Sequence, residues 1–108
     1  MNEGLIPQRY AKALYKLAVV RGNADKVYLE MKTVADSFAS NPGLQKVLSN
    51  PYVKREDKEK LLLTAAGDMV EDDYRSFVKL ILDRKRADFA QLIKAFLAFY
   101  LKTLEQIP

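Results

Sequence analysis

Hydrophobic positions recur every three or four residues along most of the chain, and this period predicts helices. From Ile6 to Arg21, at about 100° per residue, Ile6, Tyr10, Ala13, Leu14 and Leu17 fall on one stripe with the spacing of a buried face. Ala11, Tyr15 and Ala18 form a second stripe beside it. Together the two cover more than half the circumference, wider than one neighbouring helix can cover, and Arg9, Lys12 and Lys16 crowd the remainder. Pro7 suits a first helical turn, where its missing N–H costs nothing, and Gly22 is a natural stop.

The next segments are narrower. From Ala24 to Ala39, with Asn23 as the expected cap, the apolar residues Ala24, Val27, Tyr28, Met31, Val34, Ala35 and Phe38 form one face. Asn41-Pro42 opens a short third helix that turns Leu44, Val47 and Leu48 inward. Asn50-Pro51 closes it, because a residue before proline is pushed out of the helical region. A fourth helix is expected from Arg55 to Ala66, stopped by Gly67.

Glu71, Asp72 and Asp73 are acidic residues suited to a first turn, where they complement the helix dipole. They start a fifth helix running to about Asp83. Its apolar residues Val70, Tyr74, Phe77, Val78, Leu80, Ile81 and Leu82 again span more than half a turn, so this helix, like the first, reads as two-sided. After the polar break Asp83-Arg84-Lys85-Arg86, the last helix, Ala87 to Glu105, is the most apolar and is expected to be the spine of the bundle. No strand, linker or repeat interrupts this pattern. The expected fold is all-α, a compact bundle of five to six helices in one domain, residues 1–108.

Composition narrows the chemistry. Hydrophobic residues make up 49% and charged residues 30% of the 108 positions, a balance that folds rather than one that stays disordered. The absence of Cys and His removes disulfides, thiol nucleophiles, imidazole bases and Cys/His metal sites. No phosphate loop or dinucleotide fingerprint is present. The carboxylate pairs Glu56-Asp57 and Asp72-Asp73 fall in helix first turns and read as capping groups, so no catalytic, cofactor or metal residue is assigned. The net charge of +4 is mildly basic. Arg9, Lys12, Lys16 and Arg21 lie near one face of the first helix. That face suits an anionic partner, either nucleic acid or a membrane surface, but it reads as solvated, since acidic residues are interspersed elsewhere and no aromatic platform accompanies it. Met1-Asn2-Glu3-Gly4 has neither the basic start of a signal peptide nor a transit-peptide composition, and no apolar run reaches the ~20 residues of a membrane span.

Excess apolar width on two helices has two readings: both are central in the core, or both border a groove that accepts an amphipathic helix from another chain. The run Arg9-Tyr10-Ala11-Lys12-Ala13-Leu14-Tyr15-Lys16-Leu17-Ala18 resembles the opening of the delta subunit of bacterial ATP synthase, the oligomycin-sensitivity conferring protein of mitochondria. The likeness continues in order through Asn41-Pro42 with Leu44, Leu48-Ser49-Asn50-Pro51, Lys58 with Leu61-Leu62, and Phe77-Val78-Lys79-Leu80-Ile81-Leu82. Arg86 and a long apolar helix follow.

The resemblance implies a non-catalytic six-helix domain without a cofactor, sitting on the catalytic head of the synthase. There it clasps the N-terminal helix of an alpha subunit between its first and fifth helices and ties the head to the peripheral stalk. Carried onto this sequence, the implied groove involves Tyr10, Ala13, Leu14 and Leu17 on the first helix and Phe77, Leu80, Ile81 and Arg84 on the fifth. The family also implies b-subunit contacts through a C-terminal segment beyond Gln106-Ile107-Pro108, so the chain reads as an N-terminal domain or a short member. A peripheral place on the cytoplasmic side of a bacterial membrane, with no membrane insertion and no nucleic acid, follows from the same likeness. The alternative from another class is a basic helical nucleic-acid-binding domain.

Overall fold

Helix formers, broken by glycine and Asn-Pro steps, fold into six helices in a computed structural model that describes residues 5–67 and 70–105. They are α1 (Leu5–Val20), α2 (Ala24–Ser40), α3 (Gly43–Ser49), α4 (Arg55–Ala65), α5 (Asp72–Asp83) and α6 (Phe89–Glu105). No strand occurs among the described residues, and the all-α expectation holds. The terminal segments Met1–Gly4 and Gln106–Pro108 lie outside the described residues.

Local chemistry sets the boundaries. Gly22 takes a left-handed φ of 74°, and the amides of Gly22 and Asn23 return to the carbonyls of Val19 and Ala18 at 3.1 and 2.7 Å. This pair of bonds satisfies carbonyls that the end of α1 leaves open. The end of α5 repeats the arrangement without a glycine. Lys85 has φ 55°, and the amides of Lys85 and Arg86 bond the carbonyls of Leu82 and Ile81 at 3.0 and 3.1 Å. At α3, the side chain of Asn41 accepts the Gly43 amide at 3.2 Å. Asn23 does precede α2, but its side chain makes no capping bond and instead donates to Asp73 at 3.4 Å.

α6 is the spine. Phe89, Leu92, Ile93 and Phe96 are buried along it, and it packs most extensively on α1 and α2. Tyr28 stacks on Tyr100 with ring centroids 4.2 Å apart, and Tyr15 meets Phe99 edge-on at 5.2 Å. Such pairs contribute roughly 0.5–1.5 kcal/mol beyond the area they bury. Below them, Phe89 is surrounded by Phe38, Tyr74 and Phe77. The hydroxyl of buried Tyr74 donates to the Leu62 carbonyl at 2.6 Å, joining α5 to α4.

The first helix corrects the sequence reading. The stripe expected to be buried contains Ala13 and Leu17, which are exposed, and Ile6 and Tyr10, which are half-buried; only Leu14 is in the core. The inward stripe is Pro7, Ala11, Leu14 and Ala18. Ala11 and Ala18 have no accessible surface, and their small side chains let α1 lie close against α6. The breadth of α5 is explained differently. Tyr74, Phe77, Val78, Ile81 and Leu82 are all buried, because α5 contacts α1, α2 and α4 together. Leu80 alone of its large apolar residues remains exposed.

Candidate functional site

The strip between α1 and α5 is framed by polar contacts at both ends. At one, Arg21 Nε lies 2.7 Å from Asp73 Oδ1. At the other, the Arg86 guanidinium sits over the Tyr10 ring, 5.6 Å from its centroid. The end of α1 therefore meets the start of α5, and the two helices run antiparallel. Ala13, Leu17 (44% exposed) and Val20 (84% exposed) form the accessible apolar line on α1, and Leu80 (39% exposed) is its counterpart on α5. Arg9 and Lys16 are exposed beside that line.

The residues expected to line a groove thus divide. Ala13, Leu17 and Leu80 present apolar surface, Tyr10 is half-buried beneath Arg86, and Arg84 is exposed at the end of α5. Leu14, Phe77 and Ile81 belong to the core, and Ile81 has no accessible surface at all. They support the strip from below and are not available as contact residues. Val20 was absent from the expected set, although its place three residues after Leu17 continues the same stripe.

A buried carboxylate lies at the start of α5. Glu30, on the inward face of α2 with Val27, Met31 and Val34, accepts the Glu71 amide through Oε2 at 2.6 Å. It thereby satisfies one of the open amides at the start of α5. Its Oε1 has no partner among the described residues. Burial raises the Glu30 pKa above its ordinary 4.5, the Glu71 amide bond opposes this, and the nearby charges of Glu71 and Asp73 raise it further. The sequence signal was the position of Glu30 between apolar residues of one face.

A separate open cleft of about 780 Å³ lies between α1 and α6. Pro7, Gln8, Arg9 and Lys12 form one wall, and Gln91, Lys94, Ala95, Ala98, Phe99 and Lys102 form the other. Among the described residues no group of three or more Asp or Glu is arranged to hold a metal ion, and no helix is long and apolar enough to cross a membrane.

Residues 6–107 match the sequence profile of a family described as ATP synthase delta (OSCP) subunit. The chain belongs to this family. A protein of Parabacteroides distasonis named ATP synthase subunit delta is 45% identical over 86 residues, which cover 80% of this chain and 48% of that protein. One of the same name from Phocaeicola vulgatus is 41% identical over 104 residues, covering 94% of this chain and 56% of its own length. A more distant one, from Desulforamulus reducens, is 34% identical over 95 residues, 88% of this chain and 52% of that protein. The chain spans about half the length of the curated relatives it matches. The span matched to the delta (OSCP) family contains both the α1–α5 strip and the α1–α6 cleft.

Proposed function

We propose that residues 1–108 form the N-terminal domain of a non-catalytic peripheral-stalk subunit of the proton-translocating ATP synthase. The α1–α5 strip receives the N-terminal helix of an alpha subunit and so tethers the catalytic head to the stator. The observation that carries this reading is the exposed apolar surface of Ala13, Leu17 and Val20 on α1 and of Leu80 on α5, two neighbouring helices framed at both ends by Arg21–Asp73 and Tyr10–Arg86. An amphipathic helix placed there would cover side chains that otherwise face water, with anchors at helical spacing. Tyr10 and Arg84 border the contact. Leu14, Phe77 and Ile81 hold its floor in place.

Membership in the family supports the assembly, and the well-packed helical core suits a part that carries torque without chemistry. Contacts to b subunits belong to a segment outside this chain, and the expected location is peripheral, on the cytoplasmic face of a bacterial membrane.

The test is a calorimetric titration with a peptide from the start of the cognate alpha subunit, ~20 residues long and so about 30 Å as a helix. One-to-one binding that persists at high salt, with a negative heat-capacity change, is expected for apolar burial. Binding that vanishes with added salt would sink the strip as the docking site, because apolar burial is not screened by salt.

A further inference from the structure

We infer that the cleft between α1 and α6 is a second docking site, which takes an acidic amphipathic helix. Arg9 and Lys12 on α1 and Lys94 and Lys102 on α6 line it together, and no carboxylate is among the described residues that line it. None of these four cations forms an ion pair among the described residues, although other basic residues of the chain do. Positive charge therefore converges from two helices on one concavity, which raises the local potential more than the same charges scattered would. On the α6 wall, Ala95 and half-buried Phe99 lie with exposed Ala98, small or flat groups that allow a helix backbone to come close. Lys12 Nζ lies 5.9 Å from the Phe99 ring centroid, so one of the cations is held over the aromatic surface.

The dimensions fit a short helix. Gln91 to Lys102 spans about 16 Å of α6, roughly three turns of a partner lying alongside. Lys94 and Lys102 stand about 12 Å apart on it, close to two turns, so carboxylates seven or eight residues apart on the partner would reach both. The occupant is a helix with alanine- or leucine-sized residues on its inner face and carboxylates on both flanks. This site is independent of the α1–α5 strip and differs from it in kind: its affinity is electrostatic and falls with salt.

The probe is a synthetic amphipathic peptide of four helical turns with Ala and Leu on one face and Glu on both flanks. Its amide-shift footprint on the 108-residue chain is expected on Ala95, Ala98 and Phe99. Replacing its Glu by Gln, or the chain's Lys94→Glu with Lys102→Glu, is expected to weaken binding on the order of tenfold or more. Lys94→Gln with Lys102→Gln should weaken it less, with an unchanged melting curve. Lys32→Glu with Lys60→Glu, the same charge change elsewhere, should leave affinity near the parent value, and so should Leu80→Asp. A footprint away from the cleft, or equal binding of the Gln peptide, would overturn the site. Binding to phosphatidylserine vesicles that Lys94→Glu/Lys102→Glu abolishes, with no binding of the peptide, would overturn it in favour of a membrane surface.

Discussion

Arg21 Nε lies 2.7 Å from Asp73 Oδ1, and the two residues differ sharply in exposure: the Arg21 side chain is 50% accessible and that of Asp73 only 2%. This asymmetry makes the pair unequal to mutation. Arg21→Ala leaves a buried carboxylate with the helix dipole and the longer Asn23 contact, and should cost about 2–3 kcal/mol. Asp73→Asn leaves a solvated guanidinium and keeps an acceptor, and should cost about 1 kcal/mol. Urea unfolding of both variants and their double mutant measures the coupling. Equal costs would show that the burial of Asp73 does not control the energetics.

Leu80 and Ile81 are neighbours in α5 with opposite fates. Leu80→Asp places a charge on accessible surface and should leave the circular dichroism spectrum and melting midpoint close to the parent, while abolishing salt-resistant binding of the alpha-subunit peptide. Ile81→Asp places an unpaired charge in the core and should prevent folding. Ala13→Trp provides a second check, since it also projects from exposed surface. An unfolded Leu80→Asp would mean that Leu80 serves the core.

Phe96 has no accessible surface and lies near Tyr100 in the spine, with ring centroids 6.5 Å apart. Phe96→Ala should cost about 3–5 kcal/mol through lost burial and the cavity left behind. Near-parent thermal stability in that variant would remove α6 from its central role.

Glu30 gives the fold an acid-side pH dependence of unusual sign. Its folded pKa is raised by burial above the ordinary 4.5 of the unfolded chain. The folded state then binds more protons in the window above 4.5, so the contribution of Glu30 to stability is fully present below that value and is lost as pH rises through the folded pKa. Glu30→Gln keeps an acceptor for the Glu71 amide and removes the charge. Denaturation curves of the two proteins should therefore diverge in favour of Glu30→Gln as pH rises from 4.5 toward neutrality. A constant difference across that range would show that Glu30 does not titrate abnormally.

Tyr100 acts at the other end of the scale. Its hydroxyl donates to Asp25 on α2, and that hydrogen bond, with burial behind it, pushes its pKa from 10.0 up to about 12. The contribution is fully present below the unfolded value of 10.0 and is lost as pH rises through about 12. Tyr100→Phe should cost about 1 kcal/mol at neutral pH and shift the onset of alkaline unfolding less steeply than in the parent. Ultraviolet titration of phenolate formation checks the first part; a Tyr100 that ionises near its ordinary value would show that the Asp25 bond is not formed in solution.

Helix type and extent were legible in the sequence, because period, capping and termination are local properties. Gly22, Asn41-Pro42, Asn50-Pro51 and Gly67 punctuate the chain wherever they meet water or a turn, and the resulting six segments match the observed ones within about two residues at their ends. The excess apolar width of α1 was equally visible from its own side chains.

Which stripe of α1 turns inward was decided only in three dimensions. Tyr10 and Leu17 have more hydrophobic bulk than Ala11 and Ala18, and a wheel ranks their stripe first. Close packing against α6 favours the smaller residues, and that preference depends on a partner more than seventy positions away in the chain. The same holds for α5, whose breadth is taken up by three neighbours at once. It holds also for the convergence of Arg9 and Lys12 with Lys94 and Lys102, where each helix alone carries an ordinary solvated face. Backbone hydrogen bonding within a turn is complete from nearby residues, so sequence determines it. The facing of one helix on another is settled by the shape of the whole core, and that shape exists only once the chain has folded.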